Sequence, residues 1–98
     1  NPIRNNPVGS SDGASTSVAA SITSVTLKAA NTSRKGLLIR NDSAAVLYIH
    51  FGIGLASAAD AIKLKPEGTL ILQNGDFQGI IAGVWESATG FARIIELT

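Results

Sequence analysis

The sequence predicts an all-β chain, a single antiparallel β-sandwich of jelly-roll-like or immunoglobulin-like type with an extended N-terminal arm. Three observations carry that prediction. Short runs rich in β-branched and aromatic residues are separated by turn signals about every 8 to 12 residues. Val25 and Leu27 alternate with Thr26 and Lys28, as Ile62 and Leu64 do with Lys63 and Lys65, which is the period-two pattern of half-buried strands. No stretch sustains a helical period.

Residues 1–16 differ from all that follows. They are rich in Asn, Pro, Gly and Ser, with Ile3 and Val8 as the large aliphatics. Alone, such a segment buries too little apolar surface to offset its ordering entropy. It reads as a linker, or as an extended arm anchored on a neighbour through Ile3 and Val8, with Pro2 and Pro7 favouring extended backbone before them. Residues 17–98 form the sandwich domain. Starting at Asn1 and without Met, the chain is expected to be processed, trimmed or part of a longer product.

Along the domain, residues 31–35 form a polar turn ending at Gly36, and residues 37–40 a strand. Asn41-Asp42-Ser43 reads as a turn through local side-chain bonding. Residues 46–51 form the next strand, residues 52–60 a small-residue loop, and Pro66-Glu67-Gly68 a turn before the strand at 69–73. Asn74-Gly75-Asp76 is the strongest tight-hairpin signal. Residues 80–86 and 91–97, around the turn Ser87-Ala88-Thr89-Gly90, read as a closing hairpin of paired strands.

Strand parity yields the main functional expectation. With Leu47, Ile49 and Phe51 inward, Tyr48 and His50 point outward. Leu38 points outward opposite to Leu37 and Ile39, and Ile71 opposite to Leu70 and Leu72. In the last two strands both faces are apolar, with Ile81 and Trp85 against Ile80 and Val84, and Phe91, Ile95 and Leu97 against Ile94. A sandwich has one interior, and burying a large aliphatic contributes about 1.5–3 kcal/mol. The second apolar face therefore predicts an oligomer or partner surface, with Ile3, Val8, Leu38, Tyr48, His50, Ile71 and Trp85 as its residues.

Composition agrees. The 98 residues make one domain, with 15% charged residues against about 25% in typical domains. Few charges on a small domain point to surface that faces another protein. A net charge of +1 gives no footprint for nucleic acid or an anionic membrane. Arg34, Lys35 and Arg40 read as a solvated edge. No apolar run approaches the ~20 residues of a membrane span. The absence of Cys excludes disulfides, thiolate metal sites and thiol nucleophiles.

No constellation in the sequence carries chemistry, so no catalytic residue, cofactor or metal is expected. His50, the sole histidine, has no acidic or serine partner at an identifiable spacing. Glu86 and Glu96 approach each other across the supposed hairpin but at solvated strand ends. Gly52-Ile53-Gly54 lacks the third glycine and following helix of a nucleotide loop. Asp42, Asp60 and Asp76 fall in separate turns. Asn31-Thr32-Ser33 and Asn41-Asp42-Ser43 match the glycosylation pattern but read as turns. Tyr48 and Trp85 are the candidate stacking residues for a sugar.

Segments that cover most of residues 17–98, above all RKGLLIRNDS within 34–43 and the ending GVWESATGFARIIELT, resemble a small β domain of tailed-bacteriophage virion proteins, those of head decoration, minor structural or tail-fibre-associated type. The resemblance implies a non-enzymatic virion component on the capsid surface: a homo-oligomer, expected to be a trimer, that clamps the major capsid protein or another virion protein. The alternatives are a tail-fibre, collar or baseplate module, and a carbohydrate-binding sandwich using Tyr48, Trp85 or loop 52–60.

Overall fold

The computed structural model describes residues 12–73 and 77–98. Among them are eight strands and no helix: β1 (Gly13–Ala19), β2 (Val25–Lys28), β3 (Gly36–Ser43), β4 (Leu47–Phe51), β5 (Ile62–Leu64), β6 (Thr69–Leu72), β7 (Ile81–Trp85) and β8 (Gly90–Leu97). They form two four-stranded sheets, the first ordered β1-β8-β3-β6 and the second β2-β7-β4-β5. All pairs are antiparallel.

The pairs β1–β8, β2–β7, β3–β6 and β4–β5 trace one long hairpin, folded at β4 and β5. Wrapping that hairpin brings β8 beside β3 and β7 beside β4. This is the jelly roll, one of the two sandwich types that the strand pattern leaves open.

The expected closing hairpin is therefore a corner between the sheets. β7 pairs with β2 and β4, whereas β8 pairs with β1 and β3. Both strands are internal to their sheets, which is why both are so apolar. Gly90, at φ +96°, makes the turn into β8, and a Cβ there would stand 2.6 Å from the Asp42 carbonyl oxygen and from Ser43 Cβ. The link from β6 to β7 likewise changes sheets; the Asn74-Gly75-Asp76 turn itself lies outside the described residues, as do Ile3 and Val8. β1 starts at Gly13, so residues 13–16, grouped with the arm on composition, pair with β8.

Leu37, Ile39, Leu47, Ile49, Ile81, Trp85, Ala92 and Ile94 fill the space between the sheets. Trp85 is 2% exposed, which removes it from the interface expected for it. As the largest side chain facing inward it fills the core, and its indole N–H donates to Asn41 Oδ1 at 3.2 Å.

Asn41 is correspondingly a strand residue rather than a turn residue. The β3–β8 ladder runs on through Asn41, Asp42 and Ser43, and the Asn41 side chain is turned inward and fully buried. Its Nδ2 donates to the carbonyls of Ala45 and Leu64 at 2.7 and 2.9 Å, and its Oδ1 accepts from Ser43 Oγ at 2.7 Å. Such complete satisfaction is what lets an amide sit in the core.

At one end of the sandwich Arg34 is also buried, not part of a solvated cationic edge. Nε donates to Glu96 Oε2 at 2.8 Å, Nη1 to the carbonyls of Phe77 and Gly79, and Nη2 to that of Ala29 at 2.6 Å. Asn31 Nδ2 completes the carboxylate at 3.2 Å. Burial raises the Glu96 carboxyl, but the hydrogen bonds from Arg34 and Asn31 and the charges of Arg34 and Lys28 outweigh it and hold it below its ordinary value.

Candidate functional site

The sheets place two surfaces on view. On the outer face of the first sheet, strand pairing aligns Ser15, Ile95, Leu38 and Ile71 in one row across all four strands. Ile95 is 39% and Ile71 56% exposed, and the neighbouring row adds Leu97 at 38%. Leu38 is half-buried. The parity expectation for Leu38 and Ile71 thus agrees with the geometry, and Ile95 and Leu97 join them from β8.

The next row is ionic. Arg93, aligned with Arg40, donates from Nε to Asp42 Oδ2 at 2.8 Å and from Nη1 to Ser17 Oγ at 2.9 Å. Arg40 reaches Asp42 at 3.7 Å and Glu67 at 3.4 Å. The Arg93 hydrogen bond is the main reason the Asp42 carboxyl is held down, with the charges of Arg40 and Arg93 acting in the same direction. Beyond it Phe91, 40% exposed, lies under the Arg93 guanidinium at 4.4 Å. Between the apolar band and the charge network lies a shallow depression of about 410 Å³ lined by Ser15, Ser17, Leu38, Arg40, Arg93 and Ile95.

The outer face of the second sheet carries Tyr48 and His50, as parity requires. Loop 52–61 folds back over this face, held by the Ala56 N–H on Ser24 Oγ at 2.9 Å. A shallow groove of about 500 Å³ runs between Ile22, Leu55, Val84 and Tyr48. Tyr48 Oη donates to Glu86 Oε2 at 2.7 Å, and this bond raises the phenol above its ordinary value. Glu86 and Glu96 do not meet, since one serves Tyr48 and the other Arg34. With the Trp85 ring in the core, a tryptophan platform for sugar stacking is missing from this face.

His50 does have an acidic partner, which the sequence reading missed. Nδ1 lies 2.9 Å from Asp60 Oδ1, and Nε2 lies 3.3 Å from the Ile53 carbonyl oxygen. The hydrogen bond to Asp60 comes first in raising the imidazole, followed by that to Ile53. Asp60 is held down by His50 and by the Ser57 N–H, which donates to Oδ2 at 2.7 Å. The spacing of ten residues is not a recognised signature, and only the curl of the loop closes it. Both imidazole nitrogens thus face acceptors within the loop, and the Ser57 hydroxyl accepts from the Ala59 N–H at 3.2 Å. The arrangement clamps the loop and offers no activated nucleophile.

Among the described residues no three His, Asp or Glu side chains converge on a metal position, and no helix is long and apolar enough to cross a membrane. Asp42 and Asp60 sit in separate ion pairs. Comparison with family models, curated proteins and solved structures finds no significant match.

Proposed function

We propose that this chain is a non-enzymatic structural protein of a bacteriophage virion, a head decoration protein that assembles as a homo-oligomer on the capsid and stabilises the shell. The observation that carries the reading is the row Ile95, Leu38 and Ile71 across the outer face of the first sheet, apolar where a free monomer favours polar residues. The outer face is the surface laid against the major capsid protein. The resemblance of segments within residues 17–98 to phage virion domains supplies the setting.

His50 is read here as a loop clamp, because both ring nitrogens lie against acceptors of the same loop. Stabilisation follows from linkage: a protein that binds the assembled shell and not its dissociated subunits raises shell stability by mass action. An oligomer multiplies weak contacts through effective concentration.

Electron microscopy of particles from the encoding phage, with this chain tagged at its C-terminus, tests the assignment. Label at regular lattice positions over the head is expected. Label confined to the tail, neck or fibres replaces decoration by the tail-module reading, and particles without label overturn the virion assignment.

A further inference from the structure

We infer that the open edge of β1 is a self-pairing edge, joining two copies of this chain into one continuous eight-stranded sheet about a two-fold axis at Thr16. The inference is independent of the virion assignment.

The two sheets have four edge strands, β1, β6, β2 and β5. β2 has four residues, a register shift between Thr26 and Lys28, and the Lys28 charge. β5 has three residues with Lys63 at its centre, and β6 has four. Short length, bulges and lysines are the usual devices that stop edges from pairing. β1 has none of them. It runs for seven residues, GASTSVA, uncharged, without proline and in unbroken register with β8.

The register also fixes which main-chain groups face outward. Asp12 and Thr98 exchange both hydrogen bonds, and the Ala20 N–H donates to the Gly90 carbonyl at 2.9 Å. Antiparallel alternation then directs Ala14, Thr16 and Val18 toward β8, and Gly13, Ser15, Ser17 and Ala19 toward the open side. The Gly13 N–H is taken by Asp12 Oδ1 at 2.9 Å. The N–H groups of Ser15, Ser17 and Ala19 have no partner among the described residues.

A second β1, antiparallel and centred on Thr16, meets these groups one for one. Ser15 faces Ser17 of the copy, and Ala19 faces Gly13, so each bonding pair joins two outward-directed residues. About six main-chain hydrogen bonds form without disturbing Asp12. The side chains are self-complementary in this register, because Ala14 meets Val18 and Thr16 meets Thr16 at a close, non-bonded position. Shifting the register by one residue sets outward groups against inward ones. The symmetric pairing is isologous and closes as a dimer, and it sets the Ile95 row of each first sheet in line with the Arg93 row of the other on one outer face.

One feature opposes the contact. Lys28 Nζ lies 3.4 Å from Thr16 Oγ1, so two ammonium groups approach near the axis. Both are solvated, and salt screening favours the pair.

The chain lacks cysteine, which permits a register-specific test on the full chain. Opposed non-bonded positions place Cα atoms about 4.5 Å apart, within disulfide range. Under mild oxidation Thr16→Cys is expected to yield mostly disulfide-linked dimer, faster at higher salt, as is the double variant Ala14→Cys/Val18→Cys. Ala14→Cys alone is expected to stay at least tenfold slower, because its counterpart lies four residues away along the paired strand. Adding Ser15→Pro to Thr16→Cys removes an outward N–H, which an edge strand tolerates, and should abolish the dimer while Trp85 fluorescence stays native. Equal rates for Thr16→Cys and Ala14→Cys, or Thr16→Cys remaining monomeric, overturn the inference.

Discussion

Arg34 and Glu96, 62 residues apart in sequence, meet at 2.8 Å in an ion pair whose guanidinium is 1% exposed. The pair ties the segment before β3 to the end of β8, and through Phe77 and Gly79 it holds the segment entering β7 as well. Removing one partner leaves the other charge buried and uncompensated, a loss of about 3–5 kcal/mol. Arg34→Met is therefore expected to lower the urea midpoint severely, and adding Glu96→Leu to recover only part of the loss, because the Ala29, Phe77 and Gly79 carbonyls stay without their donor.

The same pair sets an acid limit. The folded Glu96 carboxyl titrates below its ordinary value of 4.5, so its contribution is fully present above that value and is lost as pH falls through the folded one. Unfolding curves between neutral pH and pH 3 should show stability declining at the acid end, with a smaller decline in Glu96→Gln. An identical decline in both proteins contradicts the assignment.

The His50 clamp is expected to titrate from both sides. Its folded imidazole lies above the ordinary 6.5, so the bond to Asp60 contributes fully below 6.5 and weakens as pH rises through the folded value. Asp60 lies below its ordinary 3.8, so its contribution is present above 3.8 and fades as pH falls through its folded value. The protection of the Ser57 amide against exchange, taken relative to its intrinsic rate at each pH, should be greatest between those limits, since its N–H rests on Asp60 Oδ2. His50→Gln should flatten the alkaline side of that profile.

Asn41 gives a core test. Asn41→Leu strips a partner from the Leu64 carbonyl and from the Trp85 N–H, while the Ala45 carbonyl keeps the Ser43 hydroxyl, at about 1–3 kcal/mol for each buried group left unpaired. The expected result is a loss of about 3 kcal/mol or more, read by Trp85 fluorescence during denaturation.

Two backbone positions should respond in opposite directions. Gly90→Ala sets a Cβ against Asp42 and Ser43 at positive φ and should cost about 2 kcal/mol or more. Glu67 holds φ +66° in the turn after Pro66, a conformation that Asn adopts more readily. Glu67→Asn should gain about 0.5–1 kcal/mol, less any contribution from the exposed contact to Arg40.

Parity made the inside and outside of β4 legible, because Leu47 and Ile49 alternate with Tyr48 and His50, and the same local rule placed Leu38 and Ile71. Partner choice was not legible. The turn before Gly90 has the composition of a hairpin, and only the wrapping of β8 against β3 shows that it joins two sheets. Arg34 beside Lys35 reads as surface, since its burial depends on carbonyls and a carboxylate 43 to 62 residues further along. Asn41 reads as a turn because the same local bonding chemistry serves turns and buried strand ends alike. His50 met Asp60 through a loop whose path has no period to read.

The most direct test of the proposed decoration role is equilibrium binding of the labelled chain to assembled empty phage shells, compared with Leu38→Glu and Ile71→Glu. Both substitutions lie on the outer face and leave the core untouched. Saturable binding at a fixed ratio to capsid subunits, weakened at least about tenfold by either substitution, is the predicted result. Undiminished binding of both variants, or no binding of the wild-type chain, contradicts the account.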